Sequence, residues 1–202
     1  CKTFFVASLD EGIDLRAALP APEIYVFLGP ESDTVAEFEA NRLTPVLNRP
    51  DQIALWRRRG RESGKPVPAA IQLDTGMSRL GLAEPETVAI AAETDWRDGL
   101  DLRLVMSHLA CADDPDDAMN GTQQQDFDRL RALLGPAAAS LANSAGVLLG
   151  SDYHYDMVRP GIALYGGNPL IHGTNIFGQV VQIQSKIVQV RQIDSPRTVG
   201  YG

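Results

Sequence analysis

The chain has 202 residues, 44% of them hydrophobic and 22% charged, a balance that excludes a disordered or fibrous protein and allows one sizeable core. A net charge of -8 argues against a nucleic-acid partner, and no apolar run reaches the ~18 to 20 residues of a membrane span. Two cysteines, Cys1 and Cys111, make no disulfide scaffold, and without a signal-peptide pattern the expected setting is a reducing cytoplasm.

Strand-type apolar segments follow one another at residues 3–8, 24–28, 44–47, 69–73, 102–107, 138–143 and 156–159, with helix-like stretches between most of them. The first helix opens on a capping box, Ser8 with Glu11, ahead of Ile13, Ala17 and Ala18. The next begins at Asp51, puts Ile53 and Trp56 on one side, and is predicted to end at Gly60 in a left-handed cap. Its Arg57, Arg58 and Arg59 read as a solvated face. A later helix takes Thr122 and Gln125 as its box, with Phe127, Leu130, Leu133 and Leu134 as its apolar residues.

Strands alternating with helices imply an α/β fold with a parallel sheet, either open and doubly wound or closed into a barrel. Seven strands are one short of a TIM-type (β/α)8 barrel, so the barrel reading has the first strand missing. An open barrel leaves two unpaired edges, through which the chain is expected to associate or lose solubility. From Gly178 the style changes: QVVQIQSKIVQVRQI is rich in Val and Ile and lacks helix signals. Residues 178–202 therefore read as the beginning of a β domain, after a barrel domain of residues 1–172. With no initiating Met and an abrupt stop at TVGYG, the chain reads as a piece of a longer protein.

In a barrel the ligand site is built from the loops after the strands. Four polar clusters stand in such places: DTGMSRLGL from Asp74, SHLACADD from Ser107, ANSAG from Ala142, and VRPGIALYG from Val158. Three histidines, two of them (His154 and His172) in loop-like sequence, give little support to a metal hydrolase. ANSAG and RPGI suit an anion, because Ser144 offers a hydroxyl and Gly161 lets backbone N–H groups approach closely. Pro160 cannot donate, so the donors are expected to be Gly161 and Ile162. A tight turn closing the barrel accounts for the same residues equally well.

The segments IQLDTGMSRLGL, SHLACADDPDD, LANSAG and YDMVRPGIALYG, with FFVASLDEGIDLR before them and VVQIQSKIVQVRQIDSPRTVGYG after, resemble bacterial alanine racemase along essentially the whole chain. The resemblance implies an eight-stranded barrel followed by a β domain, a pyridoxal 5'-phosphate (PLP) cofactor, a homodimer, and interconversion of L- and D-alanine for peptidoglycan. It places Arg159 against the pyridine nitrogen, with His108 hydrogen-bonded to that arginine. An arginine keeps its proton, so a ring nitrogen that accepts from it stays unprotonated and the cofactor becomes a weaker electron sink. Ser144 and the backbone of Gly161 and Ile162 match phosphate contacts, and Asn143 flanks them. Arg79 matches the residue beside the cofactor's phenolic oxygen and the substrate carboxylate.

The family's two proton-transfer groups have no match. Lys2, Lys65 and Lys186 do not correspond to the lysine that binds the cofactor, and Tyr201 comes too early for the tyrosine lent by a partner subunit. Racemisation needs acid and base on opposite faces of the α-carbon, so the chain alone is expected to be inactive. Gln72 stands where many relatives carry a carbamylated lysine that orients Arg79, and its amide oxygen is expected to accept from Arg79 instead. Ser78 replaces a more usual Gly or Asn. Three other readings compete: a non-catalytic PLP carrier, counted against by the strand-rich end; a fold-related decarboxylase, whose motifs differ; and a serine or broad-spectrum racemase.

Overall fold

The computed structural model describes residues 1–198. Six parallel strands lie side by side in chain order: β1 (Thr3–Val6), β2 (Glu23–Val26), β3 (Thr44–Leu47), β4 (Val67–Gln72), β5 (Leu100–Met106) and β6 (Ala138–Ser140). Five helices connect them: α1 (Leu9–Ala18), α2 (Val35–Ala40), α3 (Pro50–Ser63), α4 (Glu84–Ala91) and α5 (Met119–Leu134). Every crossover places the next strand beside the last, as in a half-turn of a (β/α)8 barrel. The sheet has two edge strands, β1 and β6.

Period-two alternation sorts the strand residues between two cores. Ile24, Val26, Leu47, Ile71 and Val105 meet the helices, where Phe38, Trp56 and Phe127 are fully enclosed. Tyr25, Val46, Ala70, Leu104 and Met106 fill the inner face, with Phe5 stacked on Tyr25 at 4.9 Å and on Phe27 at 5.4 Å. Gln72 shares the inner face with Ala70, as its spacing requires.

Local signals hold where the chain needs only its neighbours. The Ser8 hydroxyl accepts from Glu11 N–H at 3.4 Å, and the Glu11 carboxylate reaches back to Ala7 N–H at 2.7 Å. Elsewhere packing overrides them. Helix α3 runs through Gly60 and ends at Gly64, whose φ of 70° supplies the left-handed cap. Thr122 lies inside α5 and bonds the Ala118 carbonyl at 3.2 Å, while the first turn is met by Asp117, which accepts from Met119 N–H at 2.8 Å. Of the arginine run, Arg58 is solvated as expected, while Arg59 forks onto Glu39 at 2.7 and 2.8 Å and Arg57 meets Glu93 at 2.5 Å.

Two expected strand regions are not strands. Residues 156–159 follow two 3-10 turns, Gly146–Leu149 and Ser151–Tyr153, and run beside β6 without a ladder. Asp156 and Arg159 donate to the Ala139 and Ala142 carbonyls at 3.1 and 2.9 Å, but the Ala139 N–H goes to the Asp156 carboxylate at 2.8 Å. A side chain has thus taken the place of the backbone acceptor that a strand would offer. Residues 178–198 are non-helical and non-strand, with Ile183, Val188 and Val190 exposed by 94, 98 and 84%. A strand is stable only on a partner, and among the described residues none pairs with this segment. Tyr201 and the closing residues of TVGYG lie outside the described residues.

Candidate active site

Parallel strands deliver their C-terminal ends to one rim, so the four polar clusters meet there. The loop after β4 is a closed staple. Leu82 N–H bonds the Gln72 carbonyl and Asp74 N–H bonds the Leu82 carbonyl, each at 2.9 Å. Asp74 Oδ1 accepts from Gly76 and Ser78 N–H at 3.0 Å each. Ser78 sits at φ 56°, the left-handed region that favours Gly or Asn. Gln72 is buried and its Nε2 donates to the Leu80 carbonyl at 3.1 Å. The expected Gln72–Arg79 pair is therefore replaced by a grip on the backbone beside Arg79. Arg79 itself faces a 460 Å³ cleft shared with Leu28, Gly29, Asn48 and Gly81.

His108 follows β5 and is mostly buried. Asn143 sets its tautomer: Asn143 Oδ1 accepts from Gly146 N–H at 2.9 Å and Nδ2 donates to the Leu109 carbonyl at 3.2 Å. The same Nδ2 lies 3.3 Å from His108 Nε2, which is thereby the accepting nitrogen, with the ring proton on Nδ1. Burial, then the positive charges of Arg159 and Arg79, push the imidazole down to about 4. The unfolded chain takes up this proton near 6.5. Stability contributed by neutral His108 is full above that value and is lost as pH falls from 6.5 to 4, by about 3 kcal/mol in all. Urea midpoints measured across this window are expected to fall less steeply in His108→Gln than in the unsubstituted protein; parallel profiles would contradict the assignment.

Arg159 is 9% exposed and no carboxylate pairs with it among the described residues. Burial lowers its proton affinity to about 9, which leaves it charged at neutral pH. Nη1 donates to Ser140 Oγ, and Nη2 donates to the Ser107 carbonyl and, at 3.4 Å, to the Leu141 carbonyl. The guanidinium carbon stands 5.9 Å from the centre of the Phe5 ring. Nε has no partner. The expected His108–Arg159 hydrogen bond is not formed, because His108 Nε2 is turned to Asn143 and Arg159 is held by β6 and the end of β5.

Ser144, also buried, gathers backbone donors. Gly161 N–H reaches its Oγ at 2.8 Å and Ala163 N–H at 3.3 Å. Ile162, expected with Gly161 as a donor to phosphate, opens a 3-10 turn, Ile162–Tyr165, and is 55% exposed. Ser140 and Gln123, both buried and hydrogen-bonded, escaped the sequence reading, which placed Ser107 and Thr75 in its polar clusters without giving them a role. The available signal was Gln123, a polar residue on the apolar stripe of Phe127, Leu130 and Leu134.

Known proteins share this fold. Residues 1–169 match the family described as alanine racemase, N-terminal domain. The chain is 47% identical to the catabolic alanine racemase of Mesorhizobium japonicum and 45% identical to the alanine racemase of Rhodospirillum rubrum, in each case over 100% of its length. It spans 53% and 54% of those proteins, about half the length of the curated relatives it matches. Among solved structures, alanine racemase from Bartonella henselae with covalently bound pyridoxal phosphate matches with a TM-score of 0.81 at 37% identity, over 84% of this chain and 49% of that one. Biosynthetic alanine racemase from Pseudomonas aeruginosa matches with a TM-score of 0.76 at 31% identity, over 87% of this chain and 48% of that one. With its six-stranded half-barrel and a match over residues 1–169, the chain belongs to the alanine racemase N-terminal domain family.

Proposed function

We propose that this chain is the cofactor-binding barrel portion of a PLP-dependent enzyme that interconverts L- and D-alanine. The observation that carries the reading is Arg159, a buried cation whose Nε–H has no partner among the described residues and whose other N–H groups meet only neutral acceptors. Such a donor suits a neutral ring nitrogen and cannot pass it a proton. Ser144, with the N–H groups of Gly161 and Ala163 converging on it, suits a phosphate. The residues present therefore fit PLP. Ile162 and Asn143 flank that cradle in the same reading.

Bound PLP supplies an electron sink for the electrons left at the α-carbon when its proton departs. Arg159 moderates the sink by leaving the ring nitrogen unprotonated, which favours return of the proton over transamination. Arg79 on its stapled loop offers a planar fork for the substrate carboxylate. His108, held neutral by burial and by the charges of Arg159 and Arg79, adds no further positive charge beside Arg159. The name shared by the relatives supports alanine as substrate; a cytoplasmic homodimer and D-alanine supply for peptidoglycan belong to the same reading.

PLP titrated into the protein and followed by its absorbance is the direct test. Ser144→Ala is expected to weaken PLP binding on the order of tenfold, since it removes one hydroxyl donor and loosens two N–H groups. Equal affinity in Ser144→Ala and the unsubstituted protein would remove the phosphate assignment. Absence of PLP binding in both would remove the function.

A further inference from the structure

Gln123 lies on α5, fully buried behind the rim. Its amide commits every polar group to the loops after β4 and β5. Oε1 accepts from Ala110 N–H at 2.8 Å, while Nε2 donates to the His108 carbonyl at 3.0 Å and to Thr75 Oγ1 at 3.2 Å. The bond from Ala110 fixes which end of the amide is oxygen, so both Nε2 hydrogens belong to the other two partners.

Direction then passes along a chain of hydroxyls. Ser107 Oγ gives its only proton to the Leu73 carbonyl at 2.8 Å. Thr75 must therefore be the donor in the 2.8 Å contact with Ser107 Oγ, which leaves Thr75 Oγ1 as the acceptor for Gln123. The Ser107 carbonyl in turn receives Arg159 Nη2. One amide on a helix thus ties the loop that carries Arg79 to the loop that carries His108, and the tie ends at the seat of Arg159.

We infer that Gln123 is a positioning residue: through Thr75 and Ser107 it holds the Arg79 and His108 loops in one register and so sets the geometry in which the rim receives cofactor and substrate carboxylate. The identity of those ligands rests on the racemase reading; the coupling of the loops does not. A glutamine that merely filled space would yield to methionine, of similar length, without moving either loop.

The test uses the full-length, PLP-loaded parent protein that contains this chain, with Gln123→Met, Thr75→Val and the double variant. Gln123→Met is expected to raise the PLP dissociation constant and the KM for alanine by on the order of tenfold to a hundredfold, more than it lowers kcat. It is also expected to shift the NMR signals of the His108 ring. Thr75→Val should reproduce the KM effect in part, and the double variant should be little worse than Gln123→Met alone, because both break one chain. Unaltered KM, PLP affinity and His108 signals in Gln123→Met, or strictly additive effects, would overturn the inference. Should Gln123→Met fail to fold, Thr75→Val decides: unchanged KM and unchanged His108 signals in it are equally fatal. If the unsubstituted protein binds no PLP, the racemase reading falls, and the His108 signals of the two single variants still decide the coupling.

Discussion

No D-alanine is expected from L-alanine when this 202-residue chain is supplied with PLP, at any cofactor concentration. The reason is placement. The proposed function puts PLP at the C-terminal rim, where Arg159, Ser144 and Arg79 stand. Lys2 precedes β1 and Lys65 precedes β4, both exposed at the opposite end of the sheet, and Lys186 lies in the exposed segment after residue 178. The six residues of β4 put roughly 20 Å between Lys65 and the rim. Without a lysine at the cofactor, both covalent attachment and one proton-transfer group are missing, and each proton-transfer group alone is worth about 10²- to 10⁴-fold in rate. A chiral assay for D-alanine with purified chain and PLP checks this. Turnover that survives substitution of all three lysines by alanine would show that a residue other than lysine does the work.

Gly60→Ala is expected to be the most destabilising single methyl group that this fold can receive in a helix. Alanine in a helix interior ordinarily gains about 1 kcal/mol over glycine. At Gly60 a Cβ would stand 1.9 Å from the Gly99 carbonyl oxygen and 2.6 Å from its carbon. Gly99 cannot yield, since its φ is 84° and its own Cβ position lies 2.3 Å from the Arg57 carbonyl oxygen. Helix α3 and the turn into β5 therefore meet backbone to backbone, and separating them costs more than about 3 kcal/mol. Gly121→Ala in α5 is the control, because nothing lies within 4 Å of its Cβ position. Urea midpoints should move in opposite directions for the two variants, down for Gly60→Ala and up for Gly121→Ala. A Gly60→Ala protein as stable as Gly121→Ala would show that the two backbones are not in contact.

These outcomes separate what is local from what is not. Sequence by itself determined the alternation of strands and helices, the bounds of β3, the Ser8 cap and the inward face of Gln72, because period, capping and side-chain direction depend on residues within a few positions of one another. It also determined that the four polar clusters share one rim, since parallel strands leave no other place for the loops that follow them. Only the tertiary structure decided that Gly60 serves inside α3 as a site of close packing rather than as a cap, because what it packs against is the carbonyl of Gly99, 39 positions away. Only it decided that residues 156–159 are no strand, through a carboxylate that reaches β6 first. The same holds for the Val- and Ile-rich residues after 178, whose β propensity comes to nothing because no strand pairs with them among the described residues. At the site, the resemblance to alanine racemase pointed to Arg159, His108, Ser144 and Arg79, but not to which atoms they spend on one another. That His108 turns to Asn143, that Gln72 grips the Leu80 carbonyl, and that Gln123 joins two loops are choices among hydrogen-bond partners far apart in the chain. Burial makes each choice obligatory, because an unpartnered polar group in the core costs more than any local preference returns.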